Sequence, residues 1–361
     1  MRKLSLTFVL ALAAVTSAAA QSSWNTEIGV RGGYTRIKPA GTGANDYVDV
    51  FGIPGLSVGN LLPTPPTLFM IIPKGDKLAI EPSLTFLQLV SAAANDIVGL
   101  GLRVNYALGE KIYAAGGGAL TYQSAGGAHD TQLGVQAALG YRLRLTNTLN
   151  GRIEAQATSW GKTEFLAPRN TYGVELGVST RVGGGGATAR RGAAPNRMWG
   201  PVVGLQGGYF RSHFVGGGQE IAGFMVPGIG SLLAASAVAG PAALFVSFPV
   251  GEKIAFEPGL DLVRLQGGGS TTVAAQVNGR LNYAFTDHWY AGAGATLLYG
   301  KVTATDAITD LGAHVAAGYR FALTGGLGAR VETSLTMTPA NDDFPAVNTS
   351  ALSFALTMPL K

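Results

Sequence analysis

The sequence predicts an all-β fold, an antiparallel transmembrane β-barrel. Three observations predict it: apolar residues alternate with period two over segments of 10 to 14 residues, only 13% of residues are charged, and the pattern occurs twice along the chain. A soluble domain carries about 25% charged residues, so a water-facing surface of this size would be poorly covered. The 53 glycines follow no collagen period and therefore belong inside ordered elements.

At the N-terminus, Arg2 and Lys3 precede an apolar run from Leu4 to Val15 and a small-residue stretch ending at Ala18-Ala19-Ala20. Residues 1–20 are expected to be a secretory signal peptide cut before Gln21. Removing Arg2 and Lys3 lowers the formal charge from +5 to +3, too mild an excess to suggest nucleic acid as a partner. Cysteine is absent, so no disulfide framework is possible.

The first repeat, residues 24–183, is expected to hold eight strands near 26–37, 67–73, 77–90, 96–108, 111–123, 131–145, 150–160 and 171–182. In the fourth, Val98, Leu100, Leu102, Val104 and Tyr106 alternate with Gly99, Gly101, Arg103 and Asn105. Tight turns at Pro73–Asp76, Leu108–Glu110 and Thr146–Thr148 alternate with longer connections, as the periplasmic turns and outer loops of membrane barrels do. Residues 184–199, rich in Gly, Ala and Arg, read as a linker.

The second repeat, residues 200–361, returns the landmarks of the first at a spacing of 175 to 178 residues. Gly32-Gly33-Tyr34 recurs as Gly207-Gly208-Tyr209, GDKLAIEP from Gly75 as GEKIAFEP from Gly251, and Arg152-Ile-Glu154 as Arg330-Val-Glu332. Two arrangements follow. The long linker and the pairing available within each half favour two tandem eight-stranded barrels; the alternative is one sixteen-stranded barrel around a water channel.

Hydrocarbon is expected to meet the Leu, Val and Tyr rows, with Tyr34, Tyr106, Tyr122, Tyr141, Tyr283, Trp289 and Tyr299 forming interfacial girdles. The Gly, Ser, Gln, Arg and Glu rows would then line an enclosed interior. There Glu81 is expected to meet Arg103, and Arg142 to face Glu154. Glu257 with Arg280 and Arg320 with Glu332 repeat both pairs. Enclosed charges must be paired, so these eight residues form a candidate ion-pair network, read first as a plug and second as a gate.

The first outer connection of each half is unusually apolar. Phe51, Ile53 and Leu62 in one, and Phe224, Met225 and Leu232 in the other, could form a lid, a site for a hydrophobic ligand, or a hairpin extending the barrel. His129, His213, His288 and His314 show neither metal-ligand spacing nor a catalytic pattern. No catalytic residue, metal or cofactor is expected.

The strand pieces LAIEPSL and IAFEPGL, each after a tight turn, together with the eight-strand pattern, resemble the small outer-membrane barrel superfamily of opacity and OmpA-type domains. The resemblance implies a bacterial outer-membrane protein partnered by lipid, and by periplasmic chaperones and the barrel-insertion machinery during assembly. Its implied role is structural or surface-interacting with a plugged polar lumen; the alternatives are a porin-like channel for small solutes or binding of a hydrophobic ligand.

Overall fold

The computed structural model describes residues 24–40, 47–53, 68–90, 94–125, 127–145, 149–164, 166–182, 199–216, 220–225, 244–267, 269–303, 305–323, 327–341 and 345–360. The expected signal peptide and all of the linker except Trp199 lie outside them. No helix among the described residues is long and apolar enough to cross a membrane. The described elements are all strands, antiparallel to their neighbours, in one sheet closed as a barrel.

The first repeat contributes β1 (Glu27–Pro39), β2 (Val48–Ile53), β3 (Leu68–Pro73), β4 (Leu78–Val90), β5 (Ala94–Ala107), β6 (Ile112–Ala125), β7 (Ala128–Arg144), β8 (Leu149–Trp160) and β9 (Arg169–Arg181). The second contributes β10 (Val202–Phe214), β11 (Glu220–Met225), β12 (Leu244–Pro249), β13 (Ile254–Gly267), β14 (Ser270–Ala284), β15 (Trp289–Val302), β16 (Ile308–Ala322), β17 (Gly328–Thr338) and β18 (Val347–Pro359).

Period-two sequence dictates the two faces. Leu102, Leu133, Val135 and Leu139 are 58%, 65%, 73% and 56% exposed, whereas Arg103, Asn105 and Gln136 on the alternate rows are 2%, 0% and 5% exposed. A belt of large exposed apolar side chains around a buried polar interior inverts the soluble arrangement. It is the signature of a transmembrane barrel whose outer face contacts hydrocarbon.

Hairpin register decides which inward side chains face each other. The amide of Leu108 bonds the carbonyl of Ile112, and that of Leu145 bonds Leu149. Tyr113 opposes Ala107, and Arg142 opposes Arg152 rather than the expected Glu154. A shift of two residues preserves the face of every side chain while changing its partner.

Each repeat closes on itself along one edge: β9 lies along the whole of β1, and β18 along the whole of β10. On the other edge of β1, two short strands follow one another. The first half, Glu27–Val30, holds β3, and the second half, Gly33–Ile37, holds β2. The same division occurs on β10, with β12 at Val202–Leu205 and β11 at Gly208–His213.

At the end near Glu27 and Val202, β3 continues to β4 and β12 to β13, both within their own repeat. At the opposite end the pairing crosses over. β2 runs against Leu262–Gly267 of β13, and β11 against Leu87–Val90 of β4. The strand expected near 67–73 is thus joined by a second piece, β2, drawn from the apolar segment that the sequence reads as a connection. Six residues carry too few alternations to announce a strand, and the partner lies in the other repeat.

Below the crossover the outward faces of the repeats meet. Val30, Leu149 and Val178 pack with Leu205, Leu327 and Met358. Their alternation puts them on the lipid-facing side, yet Val30, Leu205 and Met358 are only 6%, 3% and 2% exposed because the other repeat covers them.

Candidate functional site: two interior charge clusters

In the first repeat, inward parity brings side chains from β1, β4, β5, β8 and β9 to one level of the interior. Glu81 and Arg103 oppose each other directly and lie 2.9 Å apart. Arg103 also grips Glu154 with both terminal nitrogens at 2.5 Å. Arg152 reaches Glu81 at 2.7 Å, and Arg31 lies 3.1 Å from Glu81, 3.6 Å from Glu154 and 3.3 Å from Glu175. Three arginines therefore balance three glutamates, with no side chain among the six more than 5% exposed.

Neutral donors complete the cluster. Asn105 donates to Glu81 at 2.9 Å, Tyr113 donates to Glu154 at 2.7 Å, and Gln156 donates to Glu175 at 2.6 Å. Contacts of this kind are what a buried ionic group requires, because several kcal/mol per ion of lost hydration must be offset by paired, well-oriented partners.

Glycine makes room for the cluster. Tyr113 lies across its register partner Gly140, where a Cβ would collide with the tyrosine ring, and Tyr290 covers Gly318 in the same way. Toward the periplasmic end, the indole of Trp24 donates to the carbonyl of Lys77 at 3.0 Å and meets Tyr113 edge-on at 5.3 Å. Trp199 repeats both contacts with Lys253 and Tyr290, at 3.0 Å and 5.4 Å.

The second cluster is built on the same frame with fewer charges. Arg280 contacts Glu257 and Glu332 at 2.6 Å each, and Arg330 reaches Glu257 at 2.7 Å. Tyr290 and Gln206 donate to Glu332 at 2.6 and 3.2 Å, and Asn282 donates to Glu257 at 3.2 Å. Gln206 and Ser353 stand where the first repeat has Arg31 and Glu175, bonded to each other at 2.6 Å. An ion pair in one half is a neutral pair in the other. His314 also faces this interior, 3.3 Å from Arg280 and 2.9 Å from Thr336.

Of the eight network residues expected from the sequence, Glu81, Arg103 and Glu154 meet, as do Glu257, Arg280 and Glu332. The expected partnership of Arg142 with Glu154 does not form, nor does that of Arg320 with Glu332. Arg142 opposes Arg152 across the β7–β8 hairpin, and its side chain lies 3.2 Å from Glu27 and over the Trp24 ring at 4.4 Å. Arg320 stacks on Trp199 at 3.8 Å and donates to the carbonyl of Asp287 at 3.2 Å.

Sequence reasoning passed over Arg31, Arg152, Glu175, Tyr113 and Trp24. Three of these carried a usable signal: Arg152, Tyr113 and Trp24 reappear at inward positions of the second repeat as Arg330, Tyr290 and Trp199. Of the apolar-segment residues, Phe51 and Ile53 belong to β2, and Phe224 and Met225 to β11. Phe224 faces outward, 42% exposed, with its ring 5.8 Å from that of Phe86. Leu62 and Leu232 lie outside the described residues. Among the described residues no group of three or more His, Cys, Asp or Glu could hold a metal ion.

No protein-family model matches the chain, and no curated protein matches it in sequence. Solved structures similar to it include the CymD monoaromatic hydrocarbon channel, at 8% identity and a TM-score of 0.31 over 94% of this chain and 89% of that one. An outer membrane channel from Pseudomonas putida F1 matches at 12% identity and a TM-score of 0.26, over 96% and 98% of the two chains. The translocator domain of the autotransporter NalP from Neisseria meningitidis matches at 9% and 0.24, over 98% and 95%. The likeness is one of strand architecture. At these values it says nothing about cargo or mechanism.

Proposed function

We propose that this outer-membrane β-barrel protein is a sealed, surface-displayed scaffold in which two eight-stranded barrels share one outer rim. In the periplasmic half, β1 and β3–β9 would form one closure, and β10 with β12–β18 the other. In the outer half, the crossed pairings of β2 with β13 and β11 with β4 would open both walls into a common ring of sixteen strands. Both arrangements foreseen from the sequence would then coexist at different heights of one molecule.

The observation that carries the sealed reading is the first plug, six mutually paired charged side chains spanning the interior with none more than 5% exposed. An ion crossing that level would have to part contacts of 2.5 to 3.3 Å in a region without bulk water. Lipid is the partner of the exposed apolar belt. Export and delivery by periplasmic chaperones to the insertion machinery belong to the same proposal.

Purified full-length protein in a planar bilayer tests it. Sealed lumens give no steady current steps, whereas persistent nanosiemens-scale steps refute the sealing. A second reading, a small-solute channel through the second half, has one observation in its favour. That plug has fewer charges, and a cavity of about 290 Å³ rises from the periplasmic end to Glu257 and Arg330.

A further inference from the structure

The two repeats differ at one place in a way that one explains the other. In the first, Glu27 enters the periplasmic end of the interior and accepts hydrogen bonds from Arg142 at 3.2 Å, Asn150 at 2.9 Å and Ser179 at 2.5 Å. Its carboxylate, 1% exposed, occupies a socket built for an anion. The register aligns Glu27 with Val202, Asn150 with Gly328, Ser179 with Thr357 and Arg142 with Arg320. The second repeat thus keeps the arginine and a hydroxyl while losing the carboxylate and the bulk of the asparagine.

The space so vacated is a cavity of about 290 Å³, lined among others by Trp199, Val202, Ser247, Arg320, Arg330 and Thr357. That volume is at the small end of ligand-sized pockets. A separate observation concerns Ser247. It replaces Ile71 of the first repeat beside the Glu27 position, is 0% exposed, and has a buried hydroxyl without a hydrogen-bond partner. A polar group introduced at an apolar position and left unpaired costs about 1–3 kcal/mol unless something bonds it.

We propose that the second repeat's cavity is a binding site for a small carboxylate, whose head takes the place that the Glu27 carboxylate fills in the first repeat. Arg320 supplies a charge-assisted fork, held flat by Trp199, and Thr357 and Ser247 supply hydroxyl donors. Val202, Phe321, Ala322 and Ala329 add apolar surface, beside Asp287, His288 and the Glu257 carboxylate that Arg280 and Arg330 hold, which favours an acid with an apolar body over a compact inorganic anion. The first repeat takes no such ligand because its own side chain is already seated. The site does not depend on whether either lumen conducts.

Calorimetric titration of the detergent-solubilised full chain with benzoate, and separately with benzyl alcohol, tests the proposal. Benzoate is expected to saturate one site per chain and benzyl alcohol to bind at least roughly tenfold more weakly, since it lacks the charge that Arg320 recognises. Val202→Glu, which returns the internal carboxylate, and Ser247→Ile, which returns the first repeat's side chain, should each weaken benzoate at least roughly tenfold. Absence of saturable benzoate binding to the wild type overturns the proposal. So does undiminished binding by either variant when its heat-modifiable gel migration shows a folded barrel. Two equivalent sites per chain would refute the distinction between the repeats.

Discussion

Replacing Glu154 by Gln isolates what the first plug contributes to stability. The carboxylate receives both terminal nitrogens of Arg103 at 2.5 Å and the Tyr113 hydroxyl at 2.7 Å, with Arg31 at 3.6 Å. The amide keeps the shape but removes the charge, leaving three arginines against two glutamates. It also points a donor at groups that are themselves donors. Breaking a buried pair by removing one partner costs about 3–5 kcal/mol. Glu81 still holds Arg103 at 2.9 Å, which places the expected loss near the lower figure, about 3 kcal/mol. That is a change of roughly a hundredfold or more in the unfolding equilibrium constant.

Reversible urea unfolding in lipid or detergent, followed by tryptophan fluorescence and gel migration, measures it. Glu220→Gln is the control. Its partner Arg211 is 54% exposed and Glu220 itself 43%, so water already solvates both and no resolvable shift is expected. If Glu154→Gln shifts the transition no further than Glu220→Gln, the plug is not an energetically coupled ionic core.

Two other outcomes follow from the comparison of the repeats. Because Gln206 and Ser353 stand where Arg31 and Glu175 stand, Arg31→Gln and Glu175→Ser together should be less damaging than the sum of the two single changes. The expected coupling is about 1–3 kcal/mol in a double-mutant cycle, and strict additivity would refute it. For the crossover, the absence of native cysteine allows clean cross-linking. Phe224→Cys with Gln88→Cys, and Phe51→Cys with Arg264→Cys, should each form a disulfide that keeps the repeats together after proteolysis within residues 184–198. Separate migration of the halves after cleavage under oxidising conditions would exclude the shared rim.

The sequence alone determined that the chain is an antiparallel membrane barrel, which rows face lipid and which face inward, and that Glu81 lies opposite Arg103 and Glu257 opposite Arg280. These properties are local. Period-two alternation specifies the face, and a tight hairpin specifies partners a few residues away. Even there the face is easier to read than the partner: β7 and β8 pair so that Arg142 opposes Arg152, and its side chain meets Glu27 of β1 rather than Glu154.

Tertiary structure decided what depends on groups far apart in the chain. Arg31, Arg103, Arg152, Glu81, Glu154 and Glu175 become one cluster only when closure of the sheet brings five strands around a common axis. The pairing of β2 with β13 and of β11 with β4 joins segments separated by more than a hundred residues, and no local alternation encodes it. Exposure divides on the same ground. Val30 and Leu205 carry the same outward signal as Leu102, but only the packing of one repeat against the other removes them from lipid.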